Sequence, residues 1–140
     1  MQKSDFSYHY PLRVRYAEVD AQAVVYNSHY VTYYDLAITE FLRHLKIDYG
    51  IAQMEETGKD YHTVKVLVEY HAPALYDDEL EIYIKVGRIG NSSITWHLAI
   101  FRKDEADPLS TGEIVWVYAD MKAHKSSPLP THTRQILEKS

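Results

Sequence analysis

The sequence predicts an α+β protein in which an antiparallel sheet of five strands curls around one long central helix. Three observations carry this reading. Five segments alternate apolar and polar residues with the period of two that a strand imposes, and a single long stretch switches to the helical period of 3.6. Turn-forming residues separate the segments. One helix with an apolar stripe is buried by five strands only when the sheet bends round it.

The alternation begins where Leu12, Val14 and Tyr16 oppose Arg13 and Arg15, a half-buried strand. A short connecting segment runs from Glu18 to Ser28. Tyr30, Tyr34, Ala37, Ile38, Phe41 and Leu45 then fall on one helical stripe, with Asp35, Thr39, Arg43 and Lys46 opposite. Asn27 or Ser28 is the expected N-cap, since either side chain accepts from a free N–H of the first turn. The helix is expected to end by the Ile47–Asp48 stretch or at Gly50. A polar stretch follows, from Glu55 to Asp60.

Val64, Val66, Val68 and Tyr70 form one face of the next strand, against Lys65, Leu67, Glu69 and His71. Pro73 and the Asp77-Asp78 pair interrupt it. Leu80, Ile82, Ile84 and Val86 alternate with Glu81, Tyr83 and Lys85. After the Gly90-Asn91 turn, Ile94, Trp96, Leu98 and Ile100 resume the period. A turn from Asp104 to Pro108 leads into a last strand from about Ser110 to Ala123. Consecutive strands joined by turns pair antiparallel, so the expectation is strand, helix, then a four-strand meander. Pro130 lies near the start of a short helix in the tail, 128–140. The outer sheet face carries a set that includes Leu67, Tyr83 and Phe101; exposed apolar sheet surface marks a subunit contact. A homo-oligomer is therefore expected, a tetramer ahead of a dimer.

The 140 residues suit one domain, 1–140, with one core. A hydrophobic share of 46% with 25% charged residues is that of a globular chain rather than a disordered one. The net charge of −5, with dispersed cations, argues against nucleic acid as a partner. No apolar run reaches the length of a membrane span, and the N-terminus lacks a signal-peptide pattern. The absence of cysteine removes thiolate metal sites and thiol nucleophiles, and it fits a reducing, cytoplasmic setting. Thirteen tyrosines suit half-buried strands, pocket walls and subunit contacts. Ser28, His29 and Asp35 hold the letters of a hydrolytic triad, but adjacent serine and histidine at a helix start diverge, and no G-x-S-x-G elbow accompanies them. The eight histidines show no metal-ligand spacing, so no metal is expected, and no glycine-rich phosphate loop is present.

One stretch, VRYAEVDAQAVVYNSHYVTYYDLAITEFLR at 14–43, resembles the acyl-CoA thioesterases of the hotdog superfamily, most of all the 4-hydroxybenzoyl-CoA thioesterase and YbgC-like branch. The pattern there reads Asp20, Ala21-Gln22, Ala23, Val24-Val25, Tyr26 and Tyr30. Tyr70-His71-Ala72-Pro73-Ala74 with Asp78 and Leu80, then Thr111-Gly112-Glu113 and Pro128-Leu129-Pro130, agree with it, so the match spans about nine-tenths of the chain. Two positions depart. Ala23 replaces the motif's glycine, and Asn27 stands where YbgC-like enzymes often have histidine.

The resemblance implies hydrolysis of an acyl-coenzyme A thioester, with coenzyme A part of the substrate rather than a cofactor, and with acyl carrier protein as a second possible carrier. A thioester needs little acid assistance, because its leaving thiol has a pKa near 8.5. It does need a carboxylate and an oxyanion donor. Asp20, seven residues before Asn27, is the carboxylate, as base or as nucleophile; the backbone N–H of Asn27 at the helix tip is the oxyanion donor. Tyr16 matches a tyrosine near the site of the relatives. Arg88 and Lys122 are the candidates for the coenzyme's phosphates. Asp35 and Glu40 are read as a solvated helix face, with Glu40 the alternative carboxylate. A non-catalytic acyl-thioester binding module on the same fold is the competing reading, kept open by Ala23 and Asn27. A dehydratase would need His29 as its acid and base.

Overall fold

The computed structural model describes residues 1–140. A short 3₁₀ turn precedes strand β1 (Tyr8–Arg13), and a second, Tyr16–Glu18, follows it. Helix α1 spans His29–His44, α2 Ile51–Thr57, and four long strands follow: β2 (Lys59–Tyr70), β3 (Glu79–Ile89), β4 (Ser93–Arg102) and β5 (Pro108–Asp120). A two-residue strand, β6 (Lys125–Ser126), and helix α3 (Thr131–Lys139) close the chain. The sheet is antiparallel throughout, in the order β1-β3-β4-β5-β2, with β6 on β5. This is the expected α+β hotdog arrangement.

Helix α1 buries the stripe read from its period. Tyr30, Tyr34, Ala37, Ile38 and Phe41 are buried, joined by Tyr33 and Leu42. They pack on Leu80, Ile82, Ile84, Trp96, Leu98, Ile100, Ile114 and Trp116 in one core. Gly112 lets the helix approach β5: a Cβ there would meet the Tyr34 ring at 2.6 Å. The Tyr34 hydroxyl shares a 2.6 Å hydrogen bond with Ser110 Oγ. The helix ends earlier than Gly50. Lys46 takes a left-handed backbone, and the Ile47 N–H bonds the carbonyl of Leu42, which closes the last turn without glycine.

Four expectations shift. The first strand lies at Tyr8–Arg13 rather than running on through Val14 and Tyr16, because Val14 turns into the core and is tied to Asp77 and Asp78 by backbone bonds. Pro11 is tolerated because β1 is an edge strand. The four-strand meander is not formed: β2 pairs with β5, whereas β3 pairs with β1 and β4. The cause is the link at 71–78, which crosses the helix start instead of turning tightly. There, Val25 N–H bonds the Ala74 carbonyl, and Ala74 N–H bonds Tyr30 Oη at 3.1 Å. Helix α2 occupies a stretch read partly as polar connection. Finally, Val64 sits at a register irregularity in β2, so only Val66, Val68 and Tyr70 keep the face they were expected to share.

Phe101 on the outer sheet face is fully buried, by Phe6 and Tyr83 packed edge-on against it. The larger unpartnered apolar surface is at β2, whose Val64, Val66, Leu67 and Tyr70 are all exposed. No helix is long and apolar enough to cross a membrane.

Candidate active site

The segment before α1 folds into a small ribbon. Tyr26 N–H bonds the Glu18 carbonyl, Val19 pairs with Val25, and Asp20 N–H bonds the Val24 carbonyl at 2.9 Å. The ribbon runs straight into the helix, so Asp20 lies about two residues' rise, roughly 7 Å, along it from the level of Tyr26. At the ribbon's tip Ala23 has φ of 64°, the left-handed conformation that glycine adopts freely and alanine does not. The motif's glycine has therefore been replaced without changing the turn.

Asp20 is half-buried. Its Oδ1 accepts from the Gln22 N–H at 2.8 Å, the ordinary turn-stabilising use of an aspartate. Its Oδ2 has no partner in the chain. At the helix tip Ser28 occupies the N-cap position, but neither it nor Asn27 makes a side-chain cap bond. The backbone N–H groups of Asn27 and Ser28 find no acceptor in the chain, while the next two, of His29 and Tyr30, bond the carbonyls of Tyr26 and Asn27. Two donors thus remain free at the positive end of the helix dipole. Beside them lies a cleft of about 320 Å³, lined by Val24, Val25, Asn27, Tyr30, Tyr70 and Pro73 among others. Asp20 is not in that lining; its ribbon partner Val24 is.

Glu18, which the sequence reading passed over, anchors the ribbon. It is 7% exposed, accepts the Arg15 N–H at 2.8 Å and the Arg15 guanidinium at 3.0 Å, and receives the Tyr33 hydroxyl at 2.9 Å. Burial alone would raise its carboxyl, but the Arg15 and Tyr33 donors outweigh it and hold the group below the usual carboxylate range. Burial, then the Glu18 bond, pushes the Tyr33 hydroxyl well up. Helix and ribbon are thereby locked together beside Asp20. The only hint in the sequence is the three-residue spacing of Arg15 and Glu18.

The remaining expected site residues fall elsewhere. Tyr16 is 79% exposed and packs edge-on to Tyr76, with no hydrogen bond to Asp20. Arg88 is near the end of β3 and Lys122 follows β5, whereas the helix tip lies by the starts of those strands. At about 3.3 Å per residue they sit at the opposite end of the sheet. Glu40 pairs with Arg43. Asp35 is exposed, as expected of a solvated helix face, and has no ion-pair partner; partial desolvation by its surroundings raises its carboxyl from the ordinary value. No group of three or more His, Asp or Glu side chains converges to hold a metal.

An antiparallel sheet curled around one long helix, with two free N–H groups at the helix start, is the arrangement of the hotdog class. The sequence profile of the thioesterase-like superfamily matches residues 14–137, and the chain belongs to that family. It is 32% identical over 123 residues to the acyl-CoA thioester hydrolase YbgC of Escherichia coli O6:H1, covering 88% of this chain and 90% of that protein. It is 28% identical to the acyl-CoA thioesterase YbgC of Haemophilus influenzae, covering 70% of this chain and 71% of that one. The fold matches a 1,4-dihydroxy-2-naphthoyl-CoA thioesterase from Synechocystis with a TM-score of 0.85 at 18% identity, over 93% of this chain and 94% of that one.

Proposed function

We propose that this protein hydrolyses an acyl-coenzyme A thioester to the free acid and coenzyme A, with Asp20 as base or nucleophile and the free N–H groups at Asn27 and Ser28 as the oxyanion site. The observation that supports it most is the pair of unbonded helix-tip donors beside the cleft, with Asp20 on the adjoining ribbon keeping one carboxylate oxygen free. As a base, Asp20 takes a proton from water while the water oxygen bonds the thioester carbon. The carbonyl oxygen gains negative charge and the helix tip stabilises it; such donors are each worth about 2.7–4 kcal/mol. Collapse breaks the C–S bond and the thiolate leaves. As a nucleophile, Asp20 attacks the same carbon and the C–S bond breaks, expelling the thiolate and leaving an acyl anhydride, which water then hydrolyses to the free acid and the restored carboxylate. The names of the YbgC relatives support the choice of acyl-CoA. Acyl carrier protein is the alternative carrier, since a thioester held on it presents the same reacting group.

A homo-oligomer belongs to the same reading. Edge strand β2 bonds only β5, and Val66 is 44% exposed. A second copy at that edge would satisfy the unpaired backbone and cover the apolar side chains. Arg88 and Lys122, remote from their own cleft, would then serve a coenzyme bound at a neighbouring copy. The cytoplasm is the proposed compartment, on the cysteine-free composition.

The test is thiol release from a panel of short, long and aromatic acyl-CoAs, followed with a thiol reagent. Release from at least one class is expected. Binding of acyl-CoA by calorimetry with no release from any would replace the enzyme with the binding module. Sedimentation of the intact protein should show more than one copy, and a monomer at all concentrations would remove the assembly.

A further inference from the structure

Tyr70 stands at the end of β2, 43 residues along the chain from the helix tip, yet its hydroxyl donates to the carbonyl of Asn27 at 2.9 Å. Its ring lies edge-on to Tyr30 at 4.9 Å and forms part of the cleft wall. With Tyr70 51% exposed, the ring is held mainly by that contact and the hydroxyl bond. The bonded carbonyl is a particular one. The Asn27 carbonyl and the Ser28 N–H belong to one planar, conjugated peptide unit, and that N–H is one of the two free donors. The carbonyl's other partner, the Tyr30 N–H, is longer at 3.3 Å.

Resting on the proposed function, we infer that Tyr70 is a positioning residue for the oxyanion site. By donating to the Asn27 carbonyl it fixes the plane of the Asn27–Ser28 peptide and draws electron density toward the carbonyl oxygen. The Ser28 N–H becomes a stronger and better-aimed donor as charge grows on the substrate. Hydrogen bonds in a chain strengthen one another by roughly 10–30%. The gain is greatest where charge is greatest, in the transition state, so it falls on kcat rather than on substrate binding. The ring has a separate task. It walls the cleft and contacts the bound acyl group or its thioester arm, which falls on KM.

Tyr70→Phe removes the hydroxyl and keeps the ring; Tyr70→Ala removes both. Steady-state thiol release with the best acyl-CoA of the panel, on wild type, both variants and Asp20→Asn, tests the inference. Tyr70→Phe should lower kcat about three- to tenfold with KM within about twofold, while Tyr70→Ala should also raise KM. A purely structural tether would leave kcat per folded molecule unchanged. Undiminished kcat in Tyr70→Phe, or a rise in KM alone, overturns the inference while Asp20→Asn remains inactive. Full turnover by Asp20→Asn instead removes the reading beneath it, and both fall.

Discussion

The buried Glu18 carboxylate, held by Arg15 and Tyr33, is the anchor on which the geometry beside Asp20 most depends, and Glu18→Gln is the change that measures its charge. Glutamine keeps the shape and can still accept from Tyr33 with its oxygen. Its NH₂ group, however, then faces the Arg15 guanidinium, donor against donor. Arg15 is largely solvent-exposed, so losing the charge pairing costs no more than about 1 kcal/mol. The weakened bonds to the buried carboxylate add about another 1 kcal/mol. A total of about 1–2 kcal/mol, set against a melting entropy of about 2.1 cal/mol/K per residue, lowers Tm by roughly 3–7 °C. The assay is thermal unfolding at fixed protein concentration; in a cycle with Tyr33→Phe and the double variant, glutamine keeps the Tyr33 bond, so the coupling is only the charge-assisted part of it and should be below about 1 kcal/mol. The pH dependence has a definite sign. The folded carboxyl titrates below its unfolded value, so its stabilisation is complete at neutral pH and fades as pH falls through the carboxylate range toward the folded value. The deficit of Glu18→Gln should therefore shrink in acid. A Tm within 1 °C of wild type at pH 7, or a deficit that grows on acidification, would refute the account of this anchor.

Two further outcomes follow from the same neighbourhood. Ala23→Gly should raise stability by about 1 kcal/mol, because the left-handed backbone at Ala23 strains an L-residue and suits glycine; chemical denaturation would show a higher midpoint at unchanged slope. Asp35→Asn should raise Tm slightly at neutral pH, since the exposed carboxyl is partly desolvated by the protein around it, which disfavours its charged form in the folded state. That gain should vanish once the pH is below the unfolded aspartate's range, where both states are protonated. Equal gains at pH 7 and pH 3 would contradict the cause given for the shift.

What the sequence disclosed was set by how local the signals are. The α1 stripe, the four long strands and the turn at Gly90-Asn91 are written in periods of 3.6 and two, and the structure keeps them. Strand order is a long-range property. Nothing in the spacing of β2 and β3 says that residues 71–78 cross the helix start, because the tie at Ala74 is made by Tyr30, 44 residues away. The same limit hid the anchors of the site. Asp20 and Asn27 stood out through their motif, while Glu18 and Tyr70 act through partners on distant elements, Tyr33 and Asn27. Their residue types carried no local mark of that use. Ala23 is the reverse case: a departure legible in the sequence that the backbone absorbs.

The central claim is chemical, and one comparison reaches it. Wild type and Asp20→Asn, both verified as folded by circular dichroism, are assayed for kcat on the same acyl-CoA at pH 7. Asparagine preserves the bond to Gln22 and the ribbon turn but can neither take a proton nor form an anhydride. The account predicts a loss of about a hundredfold or more. Turnover within a fewfold of wild type would show that this carboxylate does not carry the reaction.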